Sequence, residues 1–186
     1  PLSIGATNVP RGPVDITISP QFAQILHGHQ SCVFGCSWSP NGKLLATASA
    51  DATAIIWEIN SDIPNCTNSN IFPIGFQPNY PLAKIQAVLG QATDPLSTEH
   101  GITTIDWNSN GTLFATGSFD TLVRIYNQDG SLYGTLAGHR HNVFAVRFNP
   151  SGRYIVSCSA DKTAILWDVG SREIVHVFDH HTDTIL

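Results

Sequence analysis

Methionine is absent from the 186 residues of this chain, and charge is scarce, at 12% of residues with a formal net charge of −5. A translated chain needs an initiator, so a chain opening on Pro1 is expected to be an internal piece of a longer protein. Sparse, net negative charge is a poor footprint for phosphate, so no direct nucleic-acid partner is expected. One stretch runs against that balance. Between 140 and 172, Arg140, Arg147, Arg153, Lys162 and Arg172 outnumber Asp161 and Asp168, leaving +3 over several loops and strands, read as a solvated face. No apolar run reaches the roughly 18 residues of a membrane-spanning helix, and no signal peptide is visible, so no membrane partner is expected. Cysteine is also sparse: Cys32, Cys36, Cys66 and Cys158. Cys32 and Cys36 fall four apart on an expected strand, about 13 Å along it, whereas a disulfide needs Cα atoms within about 7 Å. They are expected to be reduced, core-filling thiols of an intracellular protein. No glycine-rich phosphate loop follows a strand and opens a helix, and no paired carboxylates stand out, so no cofactor is expected.

What is present is a pattern that returns in one register. It runs Gly28-His29, Ser37-Trp38-Ser39-Pro40-Asn41-Gly42, Ser49-Ala50-Asp51, Ile56-Trp57-Glu58. It returns as Gly138-His139, Phe148-Asn149-Pro150-Ser151-Gly152, Ser159-Ala160-Asp161, Leu166-Trp167-Asp168. His29 to Asp51 and His139 to Asp161 are both 22, and each aspartate precedes its tryptophan by 6. A middle unit keeps Asn110-Gly111, Ser118-Phe119-Asp120 and Ile125-Tyr126, with Gly to Asp equal to 9 in all three units. Tyr126 to Trp167 is 41 residues, within the propeller-blade period of about 40–45.

The fold expected is all-β: a beta-propeller of four-stranded blades, with three complete repeats and the start of a fourth at Asp179-His180. Propellers close with about 4–8 blades, so this is a partial propeller that needs the rest of its own chain to close. Residues 1–20 hold four prolines and read as a linker or disordered arm. The partial propeller then occupies 21–186, with blades at about 27–90, 98–136 and 138–178. Strand a is expected near 33–38, 102–107 and 143–148, strand b near 44–49, 113–118 and 154–159, and strand c near 53–58, 122–127 and 163–168. Phe22 to Leu26, Leu132 to Leu136 and Ile174 to Phe178 read as outer strands. Trp57 to Tyr126 is 69, so a proline-rich insertion loop lies within 60–98, with strand d of unit one inside Lys84 to Leu89.

A histidine, an aspartate, a hydroxyl and a tryptophan recur together. They are His29, Asp51, Ser49 (or Thr47) and Trp57, and again His139, Asp161, Ser159 (or Ser157) and Trp167. The residue types match a catalytic triad, but a catalytic site occurs once and this set repeats with the blade. It is read as a structural network that satisfies buried polar groups, so no catalytic residue is expected. The middle unit keeps Ser118 and Asp120 but has Thr98 where the histidine should stand, His100 two residues late, and Tyr126 for tryptophan. It is expected to rest on packing of Ile105, Trp107, Phe114 and Ile125. His176, His180 and His181 lack metal-ligand spacing, so no metal is expected.

The loops before strand a and between strands b and c share one end of the blades. They offer Gln30, Ser31, Arg140 and His141 as candidate partner-binding residues, with Glu99 beside them. Phe119 stands where the matching positions carry Ala50 and Ala160. It reads either as an aromatic anchor for a partner or as packing against the next blade.

These units resemble WD repeats. The finer resemblance is to the transducin beta-like proteins, propeller subunits of histone deacetylase corepressor complexes. It rests on Leu26-His27-Gly28-His29 with Val33-Phe34, on Ile105 to Leu113, on Ala115 to Asp120, on Asn127 to Leu132, and on Ser159 to Thr163. It covers roughly 22–180. The resemblance implies a nuclear, non-enzymatic scaffold whose partners are corepressor and deacetylase subunits and histone tails. The competing reading is a generic WD-repeat adaptor, such as a ubiquitin-ligase substrate receptor or a trafficking scaffold.

Overall fold

A computed structural model describes residues 25–59, 83–90 and 100–186. The arm at 1–20, Glu99, Cys66 and most of the 60–98 insertion lie outside the described residues. Of the outer strand expected at 22–26, only Ile25 and Leu26 are described, and neither lies in a strand.

Among the described residues, twelve strands form three antiparallel sheets of four. Blade one comprises β1 (Val33–Trp38), β2 (Leu44–Ser49), β3 (Ala54–Ile59) and β4 (Ala83–Leu89). Blade two comprises β5 (Ile102–Trp107), β6 (Leu113–Ser118), β7 (Val123–Asn127) and β8 (Leu132–Leu136). Blade three comprises β9 (Val143–Phe148), β10 (Tyr154–Ser159), β11 (Ala164–Asp168) and β12 (Ile174–Phe178). Each sheet pairs strictly in chain order, as short turns dictate. No helix among the described residues is long and apolar enough to cross a membrane.

The turns explain the repeat. Gly42, Gly111 and Gly152 close the first turn of each blade at φ of 69°, 72° and 72°, a conformation that costs glycine little. The second turn takes the same left-handed conformation without glycine, at Ala52, Thr121 and Lys162. Each follows the repeat aspartate. Asp51 and Asp161 carboxylates accept the N–H two residues on at 2.9 Å each, and Asp120 does so at 3.1 Å. That bond turns the backbone tightly, as Asx turns do.

The blades pack face to face. Ala46, Ala48 and Ala54 of blade one leave room for Trp107, Phe114 and Tyr126 of blade two, all in one buried cluster. Blade three inserts Val143, Val146 and Trp167 against Ala115, Val123 and Ile125 of blade two. The need for small residues shows at Gly117, where a Cβ would stand 2.7 Å from the Val143 methyl. Polar ties cross the same interfaces. The Trp107 indole donates to the Ser37 carbonyl at 3.2 Å, and the Phe148 N–H donates to Asp106 Oδ2 at 2.8 Å. The Thr103 hydroxyl donates to the Val143 carbonyl.

Candidate functional site

The histidine, aspartate and tryptophan of blades one and three converge in space. His29 Nδ1 lies 3.1 Å from Asp51 Oδ2, and His139 Nδ1 lies 2.9 Å from Asp161 Oδ2. A carboxylate only accepts, so Nδ1 carries the proton and Nε2 accepts. Nε2 of His29 takes the Thr47 hydroxyl at 2.7 Å, and Nε2 of His139 takes the Ser157 hydroxyl at 2.7 Å. Each hydroxyl oxygen in turn accepts the indole N–H, Trp57 at 2.9 Å and Trp167 at 2.8 Å. The chain of donors therefore runs Trp, hydroxyl, His, Asp.

The middle hydroxyl is Thr47 or Ser157, not Ser49 or Ser159. Thr47 pairs with Ile55 and lies diagonally across from Trp57, within side-chain reach. Ser49 is two residues further, roughly 7 Å along the strand. Ser49, Ser118 and Ser159 do another task. Each Oγ accepts the N–H of the turn aspartate, at 3.1, 3.2 and 3.0 Å. Each also donates to a carbonyl of the loop before strand a, on Ser31, His100 and His141.

Burial raises the Asp51 and Asp161 carboxyls, but hydrogen bonds from the following threonine, the loop N–H groups and the histidines outweigh it. Both carboxyls are lowered, Asp161 far below the usual carboxylate range. In blade two no histidine faces Asp120. Its carboxylate meets Arg124 at 2.7 Å, and that guanidinium, acting against burial, also holds it low. Arg124 was not among the residues singled out from the sequence; its signal was a cation four residues after a turn aspartate that lacks a histidine. Phe114, stacked on Tyr126 at 5.3 Å, is fully buried, as is Ile125, while Ile105 and Trp107 are nearly so.

These relays have the elements of a triad, yet Ser157 is 0% exposed and already holds an indole. No substrate reaches that oxygen. Among the described residues no group of three or more His, Cys, Asp or Glu is placed to hold a metal ion. Cys32 and Cys36 are exposed free thiols, not core-filling ones; among the described residues no blade packs on the face of blade one that carries Cys36.

At the end where the aspartate turns lie, the surface is different in kind. Phe119 is half-buried, edge-on to Phe34 at 5.8 Å and to Phe144 at 6.1 Å. These rings come from three blades. Phe34 itself is 49% exposed. Around them Gln30, Ser31, Arg140 and His141 are exposed. Gln30 and Arg140 give their backbone N–H to Asp51 and Asp161, at 2.7 and 2.9 Å, which leaves their side chains outside the relays. The relays thus anchor the loops, and the loops present these side chains.

The family described as WD domain, G-beta repeat matches residues 20–58, 93–127 and 130–168. The chain is 39% identical over 168 residues to the F-box-like/WD repeat-containing protein TBL1X of Mus musculus, covering 90% of this chain and 29% of that protein. It is 38% identical to the human TBL1X over 168 residues, covering 90% of this chain and 27% of that protein. It is 37% identical over 145 residues to the WD40 repeat-containing protein HOS15 of Arabidopsis thaliana, covering 72% of this chain and 22% of that protein. A crystal structure of RRP9 WD40 repeats superposes with a TM-score of 0.69 at 21% identity, over 87% of this chain and 42% of that one, a likeness of fold alone. On the register of its repeats, the three four-stranded blades and these matches, the chain belongs to the WD-repeat family.

Proposed function

We propose that this chain is a non-enzymatic scaffold in a histone deacetylase corepressor assembly, acting in the nucleus. It binds corepressor and deacetylase subunits, and histone tails, through the loop end of its blades. The observation that carries a binding role is the contrast at that end. The catalytic-looking hydroxyls are buried and spent on internal bonds, while Phe34, Phe119 and Phe144 form an aromatic row that is still partly open. Rigid aromatic side chains flanked by polar ones suit a protein interface. The corepressor setting rests on the likeness to TBL1X. The "F-box-like" in the names of those relatives favours a second reading, an adaptor that brings substrates to a ubiquitin ligase.

The test is purification of the protein from nuclei, as wild type and as Phe119→Ala and Arg140→Glu. Deacetylase and corepressor subunits should accompany the wild type and be depleted with both variants. Recovery of ubiquitin-ligase subunits alone would favour the adaptor. Equal recovery with all three forms would remove the loop end as the binding surface.

A further inference from the structure

Blade two, which has a blade packed on each side, departs from the repeat at three coupled positions of its loop end. The residue just before strand a is Cys32 in blade one and Asn142 in blade three, but Gly101 in blade two. The second residue of strand a is Phe34 and Phe144, but Thr103 in blade two. The residue after the strand-b serine is Ala50 and Ala160, but Phe119 in blade two. Each blade thus brings one ring to this end, and blade two alone brings it from the turn between strands b and c. The backbone is the same throughout: Ala50, Phe119 and Ala160 donate their N–H to the carbonyls of Cys32, Gly101 and Asn142, at 2.9 Å each. Side chains alone make the exchange. A Cβ on Gly101 would stand 3.1 Å from Phe119 Cδ2 and 3.1 Å from the Ala50 Cα. The Ala50 side of that gap is backbone, so the ring is what would have to move. Gly101 does not take a positive φ, so space rather than conformation calls for glycine there. Thr103 completes the set. Where the other blades carry a ring, its hydroxyl donates to the carbonyls of Gly117 and Val143.

We propose that Gly101 is a positioning residue of the loop-end surface, a role that rests on that surface being the one partners meet. By carrying no side chain it lets the Phe119 ring lie edge-on to Phe34 at 5.8 Å and to Phe144 at 6.1 Å. Phe119 therefore bridges the rings of blades one and three. With the pairing those two blades use, a side chain before strand a and an alanine after strand b, the middle of the row would be empty. Phe34 and Phe144 would then stand as two separate rings. Gly101 is buried and acts through Phe119 rather than by touching a partner. The partner meets one aromatic surface drawn from three blades, and a rigid ring held in place is what an interface anchor requires.

Purification from nuclei tests this, with recovery of corepressor and deacetylase subunits read beside the melting temperature. The forms compared are wild type, Gly101→Ala, Phe119→Ala, Asn142→Ala and the double variant Gly101→Asn with Phe119→Ala. Gly101→Ala should lower recovery about fivefold or more, the scale of a lost interface anchor, while melting close to wild type. The double variant copies the Asn142 and Ala160 pair of blade three, so it should fold, yet recover no more than Phe119→Ala does. Asn142→Ala alters the same place in blade three, where no ring depends on it, and should recover partners like the wild type. Wild-type recovery with Gly101→Ala or with the double variant overturns the proposal. So does a loss with Gly101→Ala no larger than its loss of folded protein, or an equal loss with Asn142→Ala. If Phe119→Ala lowers recovery and Gly101→Ala does not, the positioning role alone falls. If Phe119→Ala has no effect, the loop-end surface falls with it. Should Gly101→Ala fail to fold, the double variant carries the test.

Discussion

Blades one and three tie their turn aspartate to a tryptophan through a histidine and a hydroxyl; blade two does not. Yet the turn itself has one geometry in all three. The serine hydroxyl accepts the aspartate N–H, the aspartate accepts the N–H two residues on, and the residue between is left-handed. The turn is therefore a local device, and the group that faces its carboxylate can change. In blade two Arg124 supplies a charge from strand c, and Tyr126 stacks on Phe114 in place of the indole bond. What the histidine adds is reach. It binds the loop before strand a to strands b and c, across 22 residues of chain.

The largest expected effect separates the two arrangements directly. Asp161→Ala strips partners from His139, Thr163 and the Arg140 N–H at once, and should destabilise the protein by about 1–3 kcal/mol. Asp120→Ala breaks an ion pair whose arginine is partly exposed and the turn bond from the Leu122 N–H, and should cost about 0.5–1.5 kcal/mol. Urea unfolding midpoints compare them, and equal losses would erase the distinction between the blades. Binding should fall with Asp161→Ala only as far as folding falls.

Thr47→Val tests the hydroxyl. It leaves the Trp57 indole and the His29 ring without their shared partner, and should cost about 1–3 kcal/mol. If Ser49→Ala proves the costlier of the two, the relay has been traced through the wrong oxygen.

Acid should find the same groups. Asp51, Asp120 and Asp161 are all held below their unfolded value of about 3.9. Their contribution is full above that value and is lost as pH falls below it through the folded values. Stability measured from pH 6 down should drop below about pH 4, and Asp161→Asn should flatten that drop. Asp106 has the opposite sense, because burial, against the Phe148 N–H and nearby Arg147, raises its carboxyl. Its ionised form opposes folding above the raised value, so it does not add to the acid drop.

A similarly small effect on folding is expected at Phe119. Its ring is only half-buried, so Phe119→Ala should cost about 1 kcal/mol, well under the 3–5 of a fully buried phenylalanine. Partner recovery should fall by more than that loss explains. An unchanged recovery with a lower melting temperature would make Phe119 a packing residue between blades.

Much of the fold was legible in the chain because its signals are local. Asn41-Gly42, Asn110-Gly111 and Ser151-Gly152 mark turns that need a positive φ, and the run on each side of each turn is strand-length, too short for a helix. A fixed spacing from glycine to aspartate leaves room for one strand and two turns, so the strand positions follow. The pairing of His29 and His139 with their aspartates followed from the repeated spacing alone, since the same offset in two blades demands the same geometry.

Three matters were decided only in three dimensions. Thr47 and Ser49 share a strand face, and sequence spacing cannot tell which of them lies diagonal to the indole; the cross-strand register does. Arg124 on strand c replaces a histidine that would have come from the loop before strand a, a substitution of charge in space with no counterpart in the linear pattern. Trp38 and Trp107 look alike in the chain, yet one is 54% exposed and the other 6%. Repeat spacing sets the strands and turns of each blade, because those depend on backbone conformation over a few residues. Burial depends on what lies against the blade, and that is a property of the assembled arc.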